Sequence, residues 1–331
     1  MKNYKFWVSI LLSIFFLWLA VRGVDLDEMI EAIAKVSWVY IIPIGVVSLS
    51  TFILRAFRWR YLLSYEKHIR LHSLFSYTII GFMANNVFPL RIGELVRAYI
   101  IGKKEEISKI RSLATIIMER IFDGLSLLFF LTLVLLYHPG FPDWVKEMGL
   151  MLAPVFFLAF GGLIVLEWHQ DWFLKFTHWL TGHISPKLSS RVVGSLQSFI
   201  HGLAILRRID HLLITFFLSL ALWVVYAGMF YLALQAFHIH HLPLYASLFV
   251  LTVTAFGVML PSSPGFIGPF QYFCAKALLL MGLKDKSLAL SYAFFLHAIQ
   301  YVLITLVGLG YLWKENLSFS DLKKAKETNE V

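Results

Sequence analysis

Six apolar runs, each near the roughly 20 residues needed to carry a helix through a bilayer core, set the terms for this chain. They cover about Phe6 to Val21, Trp38 to Leu54, Ser112 to Tyr137, Gly149 to Leu166, Leu212 to Phe237 and Ser287 to Trp313. A backbone in hydrocarbon must satisfy its own N–H and C=O groups, so only helices or closed barrels can span. The runs are continuously apolar and do not alternate, which excludes a barrel. Hydrophobic residues make up 59% of the 331, against about half in a soluble protein. The chain therefore reads as all-α, a polytopic membrane protein with one integral membrane domain over 1–331. Its formal charge of +9 does not point to nucleic acid, because no basic soluble domain exists to carry such binding. Lys and Arg in a membrane protein gather in cytoplasmic loops instead. Cys274 is the only cysteine, so no intrachain disulfide or thiolate metal cluster can form.

Charge placement sets the expected topology. The basic, apolar N-terminus resembles a signal peptide, but the residues from Arg22 to Asp25 offer no small-x-small cleavage site. It reads as an uncleaved span with a cytoplasmic N-terminus, leading to the acidic outer residues Asp25, Asp27, Glu28 and Glu31. The second run returns to Arg55, Arg58, Arg60, Lys67 and Arg70, and the next basic loop holds Lys103, Lys104, Lys109 and Arg111. Both loops belong in the cytoplasm, yet Ser73 to Ile101 between them is largely apolar. A re-entrant hairpin resolves the conflict. Leu244 to Leu283, broken at 261–269, must likewise start and finish outside if Ser287 to Trp313 is the last inward span. The expected architecture is about six full transmembrane helices plus two oppositely oriented re-entrant hairpins. Phe88-Pro89-x-x-x-Gly93 also matches Leu260-Pro261-x-x-x-Gly265, which suggests an inverted repeat of about 38–137 and 212–313. The polar segment of about 168–211 reads as amphipathic helices at the inner interface, and 314–331 as a cytoplasmic tail.

An ionised side chain at mid-bilayer costs about 3 kcal/mol or more, so charges inside apolar runs mark cavities or partners. Arg91, Glu94 and Arg97 recur every third residue and share a helix face. Pro89 and Gly93 break the helix there, and Asn85 and Asn86 can satisfy the freed backbone groups. Glu119, Arg120 and Asp123 form a second set, and the six charges cancel. Two readings stay open: a mutually paired structural network, or the lining of a substrate path. Arg55 and Arg58, beside Trp59, are either interfacial anchors or a phosphate-capturing pair. In the second hairpin Pro261, Pro264, Gly265 and Gly268 break the helix, and Gln271 and Lys276 follow. That turn is either a packing device or a helix N-terminus aimed at an anion. His238, His240 and His241 read as interfacial, and no metal or cofactor is expected. No P-loop, dinucleotide fingerprint or nucleophile elbow is present, which argues against ATP-driven pumping by this chain alone.

The motifs R-x-x-R-W (55–59), N-x-x-P-x-R-x-G-E-x-x-R (86–97), E-R-x-x-D (119–123) and P-x-x-P-G-x-x-G (261–268) follow in that order. Together they resemble the flippase-like family, also called the lysylphosphatidylglycerol synthase transmembrane-region family. The resemblance implies a bacterial inner-membrane protein, both termini cytoplasmic, that translocates an anionic phospholipid or polyprenyl-linked substrate between leaflets. It implicates Arg55, Arg58, Asn86, Arg91, Glu94, Arg97, Glu119, Arg120 and Asp123, with the turns at Pro89, Gly93, Pro261, Pro264, Gly265 and Gly268. Family members often carry Gly-Gly and a later Glu in the second hairpin, where Phe266 and Gln271 stand here. Gln271 is therefore kept as a substrate-binding candidate. The family's soluble transferase domain is not expected after Trp313, where only a short charged tail follows. Two alternatives remain: a transferase, or subunit of one, in lipid metabolism; and an accessory protein that recruits a soluble or membrane partner through 168–211.

Overall fold

The structure is a computed structural model and describes residues 4–88, 91–138, 140–260 and 263–327. Every regular element among them is helical. Five helices are long and apolar enough to cross a membrane: α3 (Ile41–Leu62, entered through a 3-10 turn from Trp38), α6 (Lys109–Tyr137), α7 (Asp143–Trp168), α10 (Ile209–Ala236) and α13 (Lys286–Lys314). A sixth span is counted if α1 (Tyr4–Val21) and α2 (Leu26–Ala34), bent by 84° at Gly23, form one. Asp25 caps α2 by accepting from the Asp27 and Glu28 amides, which ends the apolar run in a polar turn.

Burial sorts the spans by their neighbours. The most apolar window of α7 has no buried residue, and Leu150 and Leu158 are each 74% exposed. Such a helix has only lipid for a solvent on that side. Over half of the corresponding window of α6 is buried, because it packs against α5, α7, α10 and α11. Helices α3 and α10 run antiparallel: the Ser37 amide donates to the Ala236 carbonyl at one end (2.9 Å) and Arg58 reaches Ser219 at the other.

Two pairs of shorter helices occupy the segments read as hairpins. The first is α4 (Leu71–Val87) with α5 (Gly93–Glu105), and the second is α11 (Leu244–Gly257) with α12 (Pro269–Leu280). At 1.5 Å per residue none of the four reaches across about 30 Å of hydrocarbon. The turn prolines Pro89 and Pro261 lie outside the described residues. Asn85 performs the expected backbone service, its Oδ1 accepting from the Gly93 amide at 2.7 Å. The arms of this hairpin nearly touch. A Cβ on Gly93 would stand 2.2 Å from the Gly81 carbonyl oxygen and 2.6 Å from Asn85 Oδ1, both on the opposite arm. Gly93→Ala is therefore expected to cost about 1–3 kcal/mol through forced separation of the arms, measured as a lower unfolding temperature in detergent.

Both hairpins brace against the middle of a long helix. Asn86 Nδ2 donates to the Tyr301 carbonyl (3.3 Å) and to Thr305 Oγ1 (3.1 Å), near the centre of α13. Ser263 N donates to Ser13 Oγ at 2.7 Å, near the centre of α1. Gly268, at φ +99°, lies so close to the Ser13 carbonyl that any side chain would collide with it. Helices α8 (Gln170–Gly182) and α9 (Pro186–His201) fill the polar segment and pack on each other. On α8 the exposed rings of Trp172, Phe176 and Trp179 stack in a row. The last helix, α14 (Phe319–Glu327), lies on α5 through Lys103 and Asp321 at 2.8 Å, with Leu322 buried. Lys103 and Ser318 hold the Asp321 carboxyl well below the usual carboxylate range.

Candidate functional site

A cavity of about 420 Å³ lies where the two helix pairs meet, walled also by α3, α6, α7, α10 and α13. A larger groove, about 550 Å³ between α6 and α7, is almost wholly apolar and faces the lipid side. The chemistry is in the first. Its charged wall consists of Arg55, Arg91, Glu94, Arg120 and Asp123.

Asp123 is the hub, 4% exposed at its side chain. Its Oδ1 accepts from Arg58 Nη1 at 2.7 Å and from the Trp223 indole N–H at 3.2 Å. Its Oδ2 stands 3.5 Å from both Arg55 Nη1 and Arg120 Nη2. Arg58 also donates to Ser219 Oγ at 2.7 Å. Arg97 and Glu119 pair separately at 2.7 Å, each no more than 2% exposed at its side chain. They lie outside the cavity wall, with the Arg97 guanidinium 4.0 Å over the Trp59 ring.

This arrangement changes the balance of charge. The six-charge cancellation seen along the sequence left out Arg55 and Arg58, which helix α3 brings to Asp123. With Arg97 and Glu119 sealed off, four arginines (55, 58, 91 and 120) stand against two carboxylates, Glu94 and Asp123. The wall alone holds a formal excess of one positive charge, and Arg58, buried behind it on Asp123, raises the excess to two. Several donors there are unused: Arg120 Nε and Nη2, Arg91 Nε and Gln300 Nε2 are buried without a hydrogen-bond partner among the described residues. Arg120 Nη2 is within ion-pair reach of Asp123 but outside hydrogen-bond geometry. Its side chain is 39% exposed, into the cavity it lines. Phe82 lies beneath both Arg55 and Arg120, at 5.1 and 5.8 Å from ring centre to guanidinium, so aromatic faces share the stabilisation of the cations. Glu94 makes no hydrogen bond or ion pair among the described residues.

The remaining sequence candidates fall in other places. Asn86 lines the cavity while holding α13. Gln271 is buried off the wall: its Oε1 accepts from the Gly268 amide at 2.8 Å and its Nε2 bonds His297 Nδ1 at 2.8 Å. The Gly268 amide is thus satisfied inside the protein, and the turn packs on α1. Gly265, at φ +71°, is pressed against the Tyr301 ring. His240 bonds Gln235 and His238 bonds Ser37. No group of three or more His, Cys, Asp or Glu among the described residues is placed to hold a metal.

Among the cavity residues that the sequence did not mark are Trp223 and Tyr226 on α10, and His297, Gln300 and Tyr301 on α13. Tyr226 donates to Gln300 Oε1 at 2.7 Å, and His297 stacks on Phe270 at 4.3 Å. Their signal was present. His297, Gln300 and Tyr301 are spaced by three and four, placing polar groups on one face of an otherwise apolar span.

The comparisons with known proteins match this picture over most of its length. The lysylphosphatidylglycerol synthase TM region matches residues 6–308. A UPF0104 membrane protein of Methanocaldococcus jannaschii is 25% identical over 178 residues, 50% of this chain and 52% of that protein. A second UPF0104 membrane protein, from Methanothermobacter thermautotrophicus, is 24% identical over 256 residues, 73% of this chain and 75% of its own. The chain thus spans about half the length of the first relative. No solved structure matches it. The match takes in both helix pairs, the whole arginine-rich cavity and all but the outer ends of the first and last helices of the membrane body, so this integral, multi-pass membrane protein belongs to the lysylphosphatidylglycerol synthase transmembrane-region family.

Proposed function

We propose that this protein is a flippase: it carries the anionic headgroup of a phospholipid or lipid-linked substrate between leaflets while the hydrocarbon tails stay in lipid. The observation that carries this reading is the excess of positive charge on and just behind the wall of a cavity shared by both helix pairs, with guanidinium donors left unpaired among the described residues. An isolated cation at such depth is costly, and a phosphate offers an arginine strong, charge-assisted hydrogen bonds.

The same reading makes the two helix pairs re-entrant and the chain an inverted repeat. The bracing of α4 at the middle of α13, and of the Ser263 turn at the middle of α1, supports tips at mid-depth. The unit α3–α6 and the unit α10–α13 also exchange with one another contact by contact. Packing of α4 on α13 corresponds to α11 on α6, and α3 on α13 to α10 on α6, while α3 on α10 corresponds to itself. The antiparallel course of α3 and α10 fits an exchange axis in the membrane plane. Rocking of one unit against the other exposes the arginines first to one side and then to the other. The excess of Lys and Arg in the loops at 55–70 and 102–111 supports cytoplasmic termini on the positive-inside rule.

The direct test is purified protein in vesicles containing a fluorescent phosphatidylglycerol, with a membrane-impermeant quencher added outside. Faster loss of the protected signal than in empty vesicles is expected. If phosphatidylglycerol, phosphatidic acid and undecaprenyl phosphate all cross no faster than in empty vesicles, with or without a pH gradient, the reading fails.

A further inference from the structure

We propose that Arg91 is a latch between the two helix pairs, closed in this structure and released when the substrate's anionic group takes over its guanidinium. The inference rests on the headgroup reading of the cavity and adds the event that opens it. Arg91 stands just before α5, in the first pair. Its Nη1 donates to the Met259 carbonyl at 3.3 Å and its Nη2 to the Leu260 carbonyl at 2.7 Å, both just past α11 in the second pair. The guanidinium lies 4.7 Å from the centre of the Phe266 ring, also in the second pair. All three contacts cross between the pairs, and Arg91, Met259 and Phe266 are all part of the cavity wall.

What sets Arg91 apart is the neutrality of its partners. Arg55, Arg58 and Arg120 already have the Asp123 carboxylate within ion-pair distance, whereas among the described residues Arg91 hydrogen-bonds only to carbonyl oxygens. Bonds to an ionised oxygen are roughly twice as strong as bonds between neutral groups. An anion entering the cavity therefore outcompetes the Arg91 carbonyls more readily than it displaces a carboxylate. Glu94, in the first turn of α5 and on the same cavity wall, makes no hydrogen bond among the described residues and so has none to give up to a released Arg91.

The backbone is set for two states. Arg91 at φ +52° and Phe266 at φ +61° both occupy the left-handed region that non-glycine residues avoid. Such conformations persist where surrounding contacts impose them, and here each residue is part of what holds the other. Loss of the guanidinium contacts frees both at once.

Spin labels at Val87 and Ile267, which are 40% and 42% exposed beside the two turns, report the separation of the pairs. The buried Cys274 is left in place, and the protein is held in dodecyl maltoside, which carries no phosphate. Wild type is expected to give one narrow distance distribution. Dihexanoylphosphatidylglycerol should add a longer population, rising at least about tenfold from its level without probe. Inorganic phosphate in a parallel titration separates a lipid-specific response from a general anion response, and opening by either supports the latch. Arg91→Lys should show the longer population with no probe, since an ammonium on a flexible stem cannot both bridge two carbonyls and stack on a ring. Equilibrium dialysis of the radiolabelled probes measures binding separately. Binding without any change of distance, or an Arg91→Lys distribution identical to wild type, overturns the latch and leaves the headgroup site intact. Absence of binding by either probe overturns release by an anion together with the headgroup reading.

Discussion

Asp123→Ala is expected to lower the midpoint of thermal unfolding by roughly 6–20 °C. The change leaves Arg58, 1% exposed at its side chain, and Arg55, 7% exposed, without their carboxylate, and strands the Trp223 N–H as well. Breaking a buried ion pair by removing one partner costs about 3–5 kcal/mol, because the remaining charge stays desolvated and uncompensated. One kcal/mol corresponds to roughly 2–4 °C in a large domain, which gives the range stated. The readout is built into the chain. Cys274 is the only thiol and is fully buried, so its reaction with a maleimide dye on heating reports loss of the fold. Asp123→Asn, which keeps one acceptor for Arg58 but no charge, should fall between wild type and Ala. A variant Ala protein that melts with the wild type would remove Asp123 from the centre of the site.

Arg120→Gln should do the reverse, sparing the fold and removing function. Asp123 keeps Arg58 at 2.7 Å and Arg55 at 3.5 Å, so the hub survives. The cavity wall loses its excess positive charge together with guanidinium donors that have no hydrogen-bond partner among the described residues. Removal of one partner from a desolvated charged contact costs about 2–5 kcal/mol, so anionic-lipid transport should fall about 30-fold or more. Arg120→Lys restores charge but not the planar fork, and only partial recovery is expected. Arg97→Gln is the control. It breaks the sealed pair with Glu119, off the cavity wall, and should lower stability far more than it alters affinity for the lipid. Equal transport by Arg120→Gln and wild type would move the binding site elsewhere.

The contrast between those arginines could not be read from their order in the chain. Arg91, Arg97 and Arg120 looked alike as cations inside apolar runs. Packing made Arg97 a sealed structural partner, left Arg120 with donors unpaired among the described residues and tied Arg91 to backbone carbonyls. Gln271 shows the same limit. It stands where family members often carry a Glu, and its side chain accepts from the Gly268 amide and bonds His297, an arrangement that local sequence does not announce. Asn85 was legible because its task is local, a bond to the amide eight positions away across one turn.

Hydropathy and helix-breaking chemistry are properties of consecutive residues, so the sequence by itself determined the bilayer as solvent, the helical class, the long spans and the interruptions at 85–97 and 261–268. Only the tertiary structure decided the charge of the cavity. Asp123 draws on Arg58, 65 positions away, and on Trp223, 100 positions away, and no local pattern links them. The physical reason is that Coulomb energy depends on separation in space and on burial, and both exist only after the helices have packed.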